Sequence, residues 1–352
     1  MAHADAEPDG RAAQVHHPHL RAGDRGPPEP GAVRAYRRQP VPVATSIAGR
    51  RGMSRRIDAH THVFARATAE FPREVTPQFP ADSEAPVEGL LAAMEASDID
   101  QAVLVQLGGG EVANHAYLRR CLAEHPGRFL GIGLIPDDCD DADAHMRGLC
   151  EGSGIVGFRL RALGGPTDPF EDVNRDTVAT WPIWECAARN DYVLWLYVEA
   201  AEAHLLPYMV EAFPGVRVVL NHLGICPGRG RFSIDDNGRP HISVPSYNPA
   251  MHTSWRLAQY ENVSVLLSGQ YAFSREPYPY RDIAGWHGAL SGSFGSSRLM
   301  WASDYPWIAD DPGYAATAGT LTELLPGIGE ADRARLMGES AAQILRFPPA
   351  AE

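Results

Sequence analysis

The feature that most constrains this chain is the stretch IDAHTHVF at residues 57–64, which predicts one short β-strand. Side chains alternate between the two faces of a strand, so we expect Asp58, His60 and His62 on one face. Two imidazoles side by side at a strand end form half of a metal site, because neutral imidazole suits zinc and similar divalent ions. The alternative is a pair of surface histidines before a turn, since short motifs often occur without a function.

Apolar runs typical of strands alternate with helical patterns along the rest of the chain. The helical pattern is clear where Val87, Leu90, Leu91 and Met94 follow the i, i+3, i+4, i+7 spacing. After the first strand, further strands are predicted at residues 101–106, 129–134, 155–160, 192–198, 216–221, 262–268 and 298–303. Helices are predicted at residues 87–97, 112–124, 142–150, 177–190, 201–213, 250–260, 280–290, 314–325 and 330–345.

Strands that alternate with helices predict a parallel sheet. Eight strand–helix repeats within residues 53–348 predict a distorted (β/α)8 TIM barrel, an α/β fold that usually takes about 250 residues plus insertions. An open doubly wound sheet is the competing fold. It requires a glycine-rich phosphate turn after its first strand, and the residues after Val63 offer none.

Two segments stand outside this pattern. Residues 1–52 are rich in Ala, Arg, Pro, Gly and His without apolar periodicity, which predicts a disordered tail; we hypothesise that Met53 is the natural start. Residues 223–249 form an unusually long connection after the sixth strand, and because such loops are often functional we predict a lid there. Within it, residues 239–244 predict a hairpin arm, and residues 228–231 either grip an anion or form a flexible turn.

The charge of the chain argues against two classes of partner. The net charge is −13, although residues 1–52 carry eight Arg against five Asp and Glu, so the remainder is more acidic still. Such a body disfavours binding to nucleic acid or to an anionic membrane. The partner that we expect, from the candidate site described below, is a small-molecule substrate. No window approaches 18 apolar residues and no signal-peptide core is present, so we expect a cytoplasmic protein.

Lysine is absent from the chain. This excludes a Schiff-base lysine and a carbamylated lysine that bridges two metals, so any metal site is expected to be mononuclear and held by histidines and carboxylates. The five cysteines are odd in number and none forms a C-x-x-C pair, which predicts free thiols in a reducing compartment.

Polar residues with chemical capacity fall at the ends of the predicted strands. Because the carboxyl ends of the strands meet at the catalytic face of a TIM barrel, we expect these side chains to converge, and their joint pattern predicts a metal-hydrolase site. They are His60 and His62 after the first strand, Arg159 and Arg161 on the fourth, Tyr197 on the fifth, His222 after the sixth and Asp304 after the eighth.

Each metal-site candidate has a role and an alternative. His60 and His62 supply neutral nitrogen ligands, and Asp304 is either a third ligand or the base that takes a proton from the attacking water. His222 either binds the metal or donates to a developing oxyanion. The alternatives are a strand-end histidine satisfied by backbone for His222 and a helix cap for Asp304.

The remaining candidates are substrate-binding residues. Arg159 can clamp a substrate carboxylate bidentately, and Arg161, one step further out on the same face, can share or replace that role. The alternative for Arg159 is a structural ion pair with Glu199 or Asp58. The Tyr197 hydroxyl either donates to a substrate oxygen or packs in the core.

Four motifs, in this order, resemble those of the amidohydrolase superfamily: IDAHTH at residues 57–62, GFRL at 157–160, VLNHLG at 219–224 and MWASDYPW at 300–307. The resemblance spans about residues 56–346 and lies in the amidohydrolase-related branch. The motifs on the fourth and sixth strands are most similar to those of the 2-pyrone-4,6-dicarboxylate, sugar-acid and muconolactone lactonases.

The resemblance implies roles for five residues. His60, His62 and Asp304 would line the metal or substrate-carbonyl site, with Asp304 activating water. Arg159 would bind a substrate carboxylate and His222 would assist near the carbonyl. It also implies one divalent metal ion, zinc or manganese, or none, since the dicarboxylate lactonases of this group need no metal. A homodimer or larger assembly is a further implication.

The chain departs from one part of the family pattern. Metal-dependent members of the decarboxylase group carry a histidine at the end of strand 5, where this chain has Tyr197, and His204 falls several residues too late. The favoured hypothesis is therefore a hydrolase that opens a lactone or related ester of a small anionic acid. The alternatives are a non-oxidative decarboxylase or hydratase of an aromatic or muconate-type acid, and a catalytically silent barrel used for binding.

Overall fold

The computed structural model describes residues 54–77, 79–136, 139–225, 231–234, 240–243 and 255–348, all of which belong to one structural unit. The predicted tail, the start at Met53 and residues 228–230 lie outside the described residues, as does most of the predicted lid. Those expectations therefore stay predictions.

Eight parallel strands form the central sheet, in the order β1-β2-β3-β4-β5-β6-β9-β10. Every one of the eight predicted runs contains one of these strands. The strands are β1 (Ile57–Thr61), β2 (Gln101–Val105), β3 (Phe129–Leu134), β4 (Ile155–Leu160), β5 (Val193–Leu196), β6 (Val218–Leu220), β9 (Val263–Leu267) and β10 (Leu299–Trp301). Their residues are almost all buried, as expected where a sheet is covered on both faces.

The sheet closes on itself between β1 and the segment that follows β10. Thr61 pairs in parallel with Tyr305. The Asp304 N–H donates to the His60 carbonyl at 3.0 Å, and the His62 N–H donates to the Tyr305 carbonyl at 2.7 Å. This closure confirms the (β/α)8 barrel and sets the two ends of the barrel sequence side by side.

Helices cover the outside of the barrel. Among the described residues they are α1 (Val87–Ala96), α2 (Ala116–Glu124), α3 (Ala142–Cys150), α4 (Trp181–Asn190), α5 (Leu206–Ala212), α6 (Gln270–Phe273), α7 (Ala284–Phe294), α8 (Tyr314–Leu324), α9 (Glu330–Ala334) and α10 (Ser340–Leu345). In this part of the chain, no helix is long and apolar enough to cross a membrane.

The predicted continuous helix at residues 330–345 is wrong in its middle. A π-helical segment, Arg335–Glu339, separates α9 from α10. A Cβ at Gly338 would lie 2.1 Å from the Arg55 carbonyl oxygen, so the helix widens where the lead-in to β1 presses against it. The predicted helix at 177–190 also begins late, at Trp181, with Pro182 in its first turn.

A two-stranded antiparallel hairpin, β7 (Arg231–Ile234) with β8 (Pro240–Ser243), lies within the long connection after β6. The predicted hairpin arm covered its second strand and missed the first. Of the predicted helix at residues 250–260, the described part includes a 3-10 turn, Leu257–Gln259. The short helix α6, after β9, was not predicted.

Apolar side chains fill the barrel and close one end of it. Trp195, Ile132 and Met300 belong to a buried cluster inside the sheet, which Leu345 and Phe347 join from the carboxyl-terminal segment. The Pro348 carbonyl accepts hydrogen bonds from Arg55 and Gln101, near the starts of β1 and β2. The amino ends of the strands are thus plugged, and the polar residues collect at the opposite end.

Candidate active site

Three histidines and one aspartate meet at the carboxyl end of the barrel, where the sequence predicts them. The Nε2 atoms of His60 and His62 are 3.1 Å apart. Asp304 Oδ1 lies 3.6 Å from His60 Nε2 and 3.4 Å from His62 Nε2. His222 Nδ1 lies 4.0 Å from Asp304 Oδ2. All four side chains are buried, so residues that are far apart in the sequence form one desolvated cluster.

The backbone of Asp304 aims its carboxylate into this cluster. Its φ of 62° lies in the left-handed region, which aspartate tolerates better than most residues. The residues that follow form turns and a bridge to β1, not a helix, so the alternative reading of Asp304 as a helix cap is wrong.

The two carboxylate oxygens of Asp304 have different surroundings. The Tyr271 hydroxyl donates to Oδ2 at 2.6 Å. Oδ1 has no hydrogen-bond partner among the described residues. Burial alone would raise the pKa of this carboxyl, but the positive charge that His222 and His60 take up as the pH falls, together with the contact with His62, holds it well below its usual range. Asp304 is therefore ionised, with Oδ2 anchored by a hydrogen bond and Oδ1 facing His60 and His62.

His222 enters the site through an unusual turn after β6. Its own φ is 43°, and a Cβ at Gly269 would lie 3.0 Å from its ring, so glycine there lets the imidazole lie against the end of β9. Ser268 Oγ is 2.9 Å from His222 Nδ1, so a side chain rather than the backbone holds the ring. Burial lowers the pKa of His222 to about 4, which leaves it neutral at neutral pH.

Hydrogen bonds at both ends of the His60–His62 pair fix where the protons lie. The Trp195 indole N–H donates to His60 Nδ1 at 2.8 Å, and His62 Nδ1 lies 2.8 Å from the Val105 carbonyl oxygen. An indole N–H only donates and a carbonyl only accepts. Burial lowers the pKa of His60 well below its ordinary value, so the ring is neutral. His60 then carries its proton on Nε2 and His62 carries one on Nδ1.

The same proton positions test whether the cluster fits a metal ion. One ligand atom each from His60, His222 and Asp304 lies within 4.8 Å of the others, which is close enough to share an ion. His62 presents an unprotonated Nε2 and donates its Nδ1 proton to a carbonyl, as ligating histidines do. His60 does not fit, because its Nε2 holds the proton and its Nδ1 faces the indole N–H. The complete set of four ligands is thus not assembled for a metal.

Arg159 is buried next to the cluster without an acidic partner among the described residues. It is 5% exposed, its guanidinium carbon lies 5.0 Å from the centre of the Tyr197 ring, and Nε has no hydrogen-bond partner in that part of the chain. Burial, then the charge of Arg161, lowers the pKa of Arg159 to about 10, so it remains a cation at neutral pH.

Asp58, one of the two acidic residues considered as a partner for Arg159, has another role. Asp58 accepts hydrogen bonds from the Ser303 N–H at 2.9 Å and from the Tyr314 hydroxyl at 2.7 Å. Burial raises its pKa to about 6. Asp58 thus ties β1 to the end of β10 and to α8, outside the catalytic cluster.

The other sequence-predicted residues occupy the margin of the cluster. The Tyr197 ring is half-buried and meets the His222 ring edge-on, with centroids 5.0 Å apart. Arg161 is exposed. His204 does not belong to the metal-type cluster found among the described residues. Three residues that contact the cluster were not predicted as site residues: Trp195, Ser268 and Tyr271.

The sequence of the chain matches the family model described as Amidohydrolase over residues 57–347, which confirms the resemblance drawn from the motifs. No match was found among curated proteins.

Solved structures share the fold at low sequence identity. An amidohydrolase from Burkholderia multivorans is 21% identical with a TM-score of 0.65, covering 84% of this chain and 100% of its own. A protein assigned as a 2-pyrone-4,6-dicarboxylic acid hydrolase from Pseudomonas putida is 22% identical with a TM-score of 0.62, covering 83% and 98%. The 5-carboxyvanillate decarboxylase of Sphingomonas paucimobilis is 16% identical with a TM-score of 0.52, covering 84% and 100%. At these identities the likeness shows the fold alone.

Proposed function

The chain belongs to the amidohydrolase family, and on that premise we propose that it hydrolyses a lactone, or a related ester, of a small carboxylate-bearing acid. The observation that carries the proposal is Asp304, an ionised buried carboxylate with one oxygen anchored by Tyr271 and the other open toward two histidines. A group of this kind can act as a general base without itself being displaced.

Asp304 takes a proton from a water molecule whose oxygen attacks the carbonyl carbon of the substrate. The tetrahedral intermediate then collapses, the bond from the carbonyl carbon to the ring oxygen breaks, and the proton passes from Asp304 to that leaving oxygen. The products are a carboxylic acid and an alcohol on one opened chain, so one water is consumed and Asp304 is regenerated.

Neutral imidazoles stabilise the negative charge that develops on the carbonyl oxygen. His60 bears its proton on Nε2, at the face of the ring that looks into the cluster, and can donate it to that oxygen. His222, held at Nδ1 by Ser268, lies next to the His60 ring, with the two ring centroids 5.1 Å apart. Because both rings are desolvated, a hydrogen bond from either is stronger than in water.

Arg159 supports an anionic substrate. Burying a guanidinium whose Nε has no hydrogen-bond partner among the described residues is unfavourable, so a substrate carboxylate would supply that partner and pair with the charge. Tyr197 stacks on one side of that guanidinium. Arg161, being exposed, would add positive potential at the entrance instead of a direct clamp.

Two cofactor expectations were given, one divalent metal ion or none. We favour hydrolysis without a metal, because His60 carries a proton on Nε2 in this arrangement and is a hydrogen-bond donor there. If zinc or manganese were required, His62 and Asp304 are the residues best prepared to hold it. A decarboxylase shares this fold, yet the end of strand 5 presents Tyr197 where the resemblance to the decarboxylase group implies a histidine.

A panel of lactones and esters of mono- and dicarboxylic acids tests the proposal, with acid release followed in a pH-stat and carbon dioxide release measured in parallel. Asp304→Asn should lower kcat by about 10²–10⁴-fold, the usual contribution of a general base, with an unchanged circular dichroism spectrum. Carbon dioxide release would instead support the decarboxylase. Hydrolysis that is unaffected by Asp304→Asn would refute the mechanism.

A further inference from the structure

We propose that Trp195 is a positioning residue that locks His60 in its Nε2–H tautomer and so keeps this histidine a hydrogen-bond donor instead of a metal ligand. The tautomer follows from contacts within the chain and does not depend on the reaction. The use of that proton at a substrate carbonyl rests on the proposed function.

Four groups form a hydrogen-bond chain with one direction. Trp195 donates to His60 Nδ1 at 2.8 Å, the two Nε2 atoms are 3.1 Å apart, and His62 Nδ1 is 2.8 Å from the Val105 carbonyl. The first group can only donate and the last can only accept. Between these two ends each imidazole accepts once and donates once, and reversing any link would leave two donors or two acceptors face to face.

The indole is held firmly enough to impose this direction. Trp195 and His60 are both fully buried, and their rings lie side by side, with planes 28° apart and centroids 6.2 Å apart. Trp195 lies in the middle of the barrel, paired in register with Arg159 on β4 and with Val219 on β6. Because its side chain is packed in the apolar cluster that fills the barrel, the indole has little room to turn its N–H away from His60.

A metal ion that bound His60 through Nε2 would have to reverse this tautomer. A neutral imidazole that binds through Nε2 carries its proton on Nδ1, which would point that proton at the Trp195 N–H. Leaving a buried donor unsatisfied weakens an equilibrium by roughly 10- to 100-fold. Trp195 therefore disfavours His60 as a ligand, although the distances within the cluster suit an ion.

Trp195→Phe removes the indole N–H, and phenylalanine keeps most of the apolar volume. This variant therefore tests the hydrogen bond to His60 separately from the rest of the site. Trp301→Phe is the matched control. Trp301 is also fully buried on a barrel strand and donates its indole N–H, at 3.1 Å, to the Thr317 carbonyl. Both variants lose one buried indole hydrogen bond, but only the first frees His60 Nδ1.

Two measurements decide the proposal. Nitrogen-15 NMR of histidine-labelled protein, with His60 assigned by comparison with His60→Asn, should show a protonated Nε2 and an unprotonated Nδ1 in the wild type. Calorimetric titration with zinc should show an affinity at least tenfold higher for Trp195→Phe than for the wild type and for Trp301→Phe.

A wild-type His60 protonated on Nδ1 would overturn the lock, as would zinc affinity that is equal in all three proteins. If Trp195→Phe does not fold, the wild-type NMR result alone decides. Failure of the lactone panel with a protonated Nε2 would remove the proposed reaction and leave the lock standing, so the two failures are distinguishable.

Discussion

Removing the Tyr271 hydroxyl tests whether catalysis depends on the hydrogen bond that anchors the Asp304 carboxylate. The hydroxyl donates to Asp304 Oδ2 at 2.6 Å and is fully desolvated. A hydrogen bond to a charged group contributes about 1.5–3 kcal/mol. Tyr271→Phe should therefore lower the free energy of unfolding by about that amount.

The same substitution should also slow turnover. Without the hydroxyl, the carboxylate can rotate about its Cβ–Cγ bond, and the oxygen that faces the water is no longer selected. If the full 1.5–3 kcal/mol is lost from the transition state, kcat falls by about 10- to 150-fold. Steady-state kinetics on a substrate found with the lactone panel would measure this.

The chain offers a matched control in Tyr314→Phe. The Tyr314 hydroxyl donates to Asp58 Oδ2 at 2.7 Å, and this tyrosine–aspartate pair is also buried. The two variants should lose similar stability in urea unfolding, while kcat falls only for Tyr271→Phe. Equal turnover in the two variants would refute the reasoning, because stability loss would then account for everything.

Two further perturbations follow. Arg159→Met should raise KM for carboxylate-bearing substrates by about 10- to 100-fold, with a much smaller effect for the exposed Arg161→Met. Neither substitution should change KM for an uncharged analogue of the same substrate. An equal rise in KM for the charged and the uncharged substrate would argue against a carboxylate clamp. Lowering the pH from about 6.5 to about 4 should destabilise the fold, because three histidines keep a folded pKa of about 4 while histidines in the unfolded chain take up protons near their ordinary pKa of about 6.5. The three are His115, His222 and His287. Asp58, with a folded pKa raised to about 6, binds its proton earlier in the folded state and offsets part of this loss. Urea midpoints measured across this range would contradict the linkage if they stayed constant or rose as the pH fell.

The fold was predictable because its signals are local. Period-two and apolar patterns mark each strand, and the carboxyl ends of parallel strands share one face, so His60, His222 and Asp304 could be expected together. The interruption of the last helix was not predictable, since Gly338 is ordinary in sequence and its constraint comes from the distant Arg55 carbonyl.

The residues that orient the site were missed for a related reason. Trp195 lies in an apolar strand and looks like core, and only the barrel geometry brings its N–H to His60, 135 residues earlier in the chain. Tyr271 lies on a four-residue helix too short to produce a periodic pattern. The local sequence does not reveal the roles of Trp195 and Tyr271, because those roles depend on partners on other elements of the barrel.

The closure of the sheet between β1 and the segment after β10 has a consequence for the synthesis of this protein on the ribosome. The paired imidazoles leave the ribosome early, while the acid that completes the cluster arrives with the last strand. A nascent chain therefore holds its histidines for most of translation with no base beside them, and any product truncated before residue 304 should be inert however much of the barrel it contains.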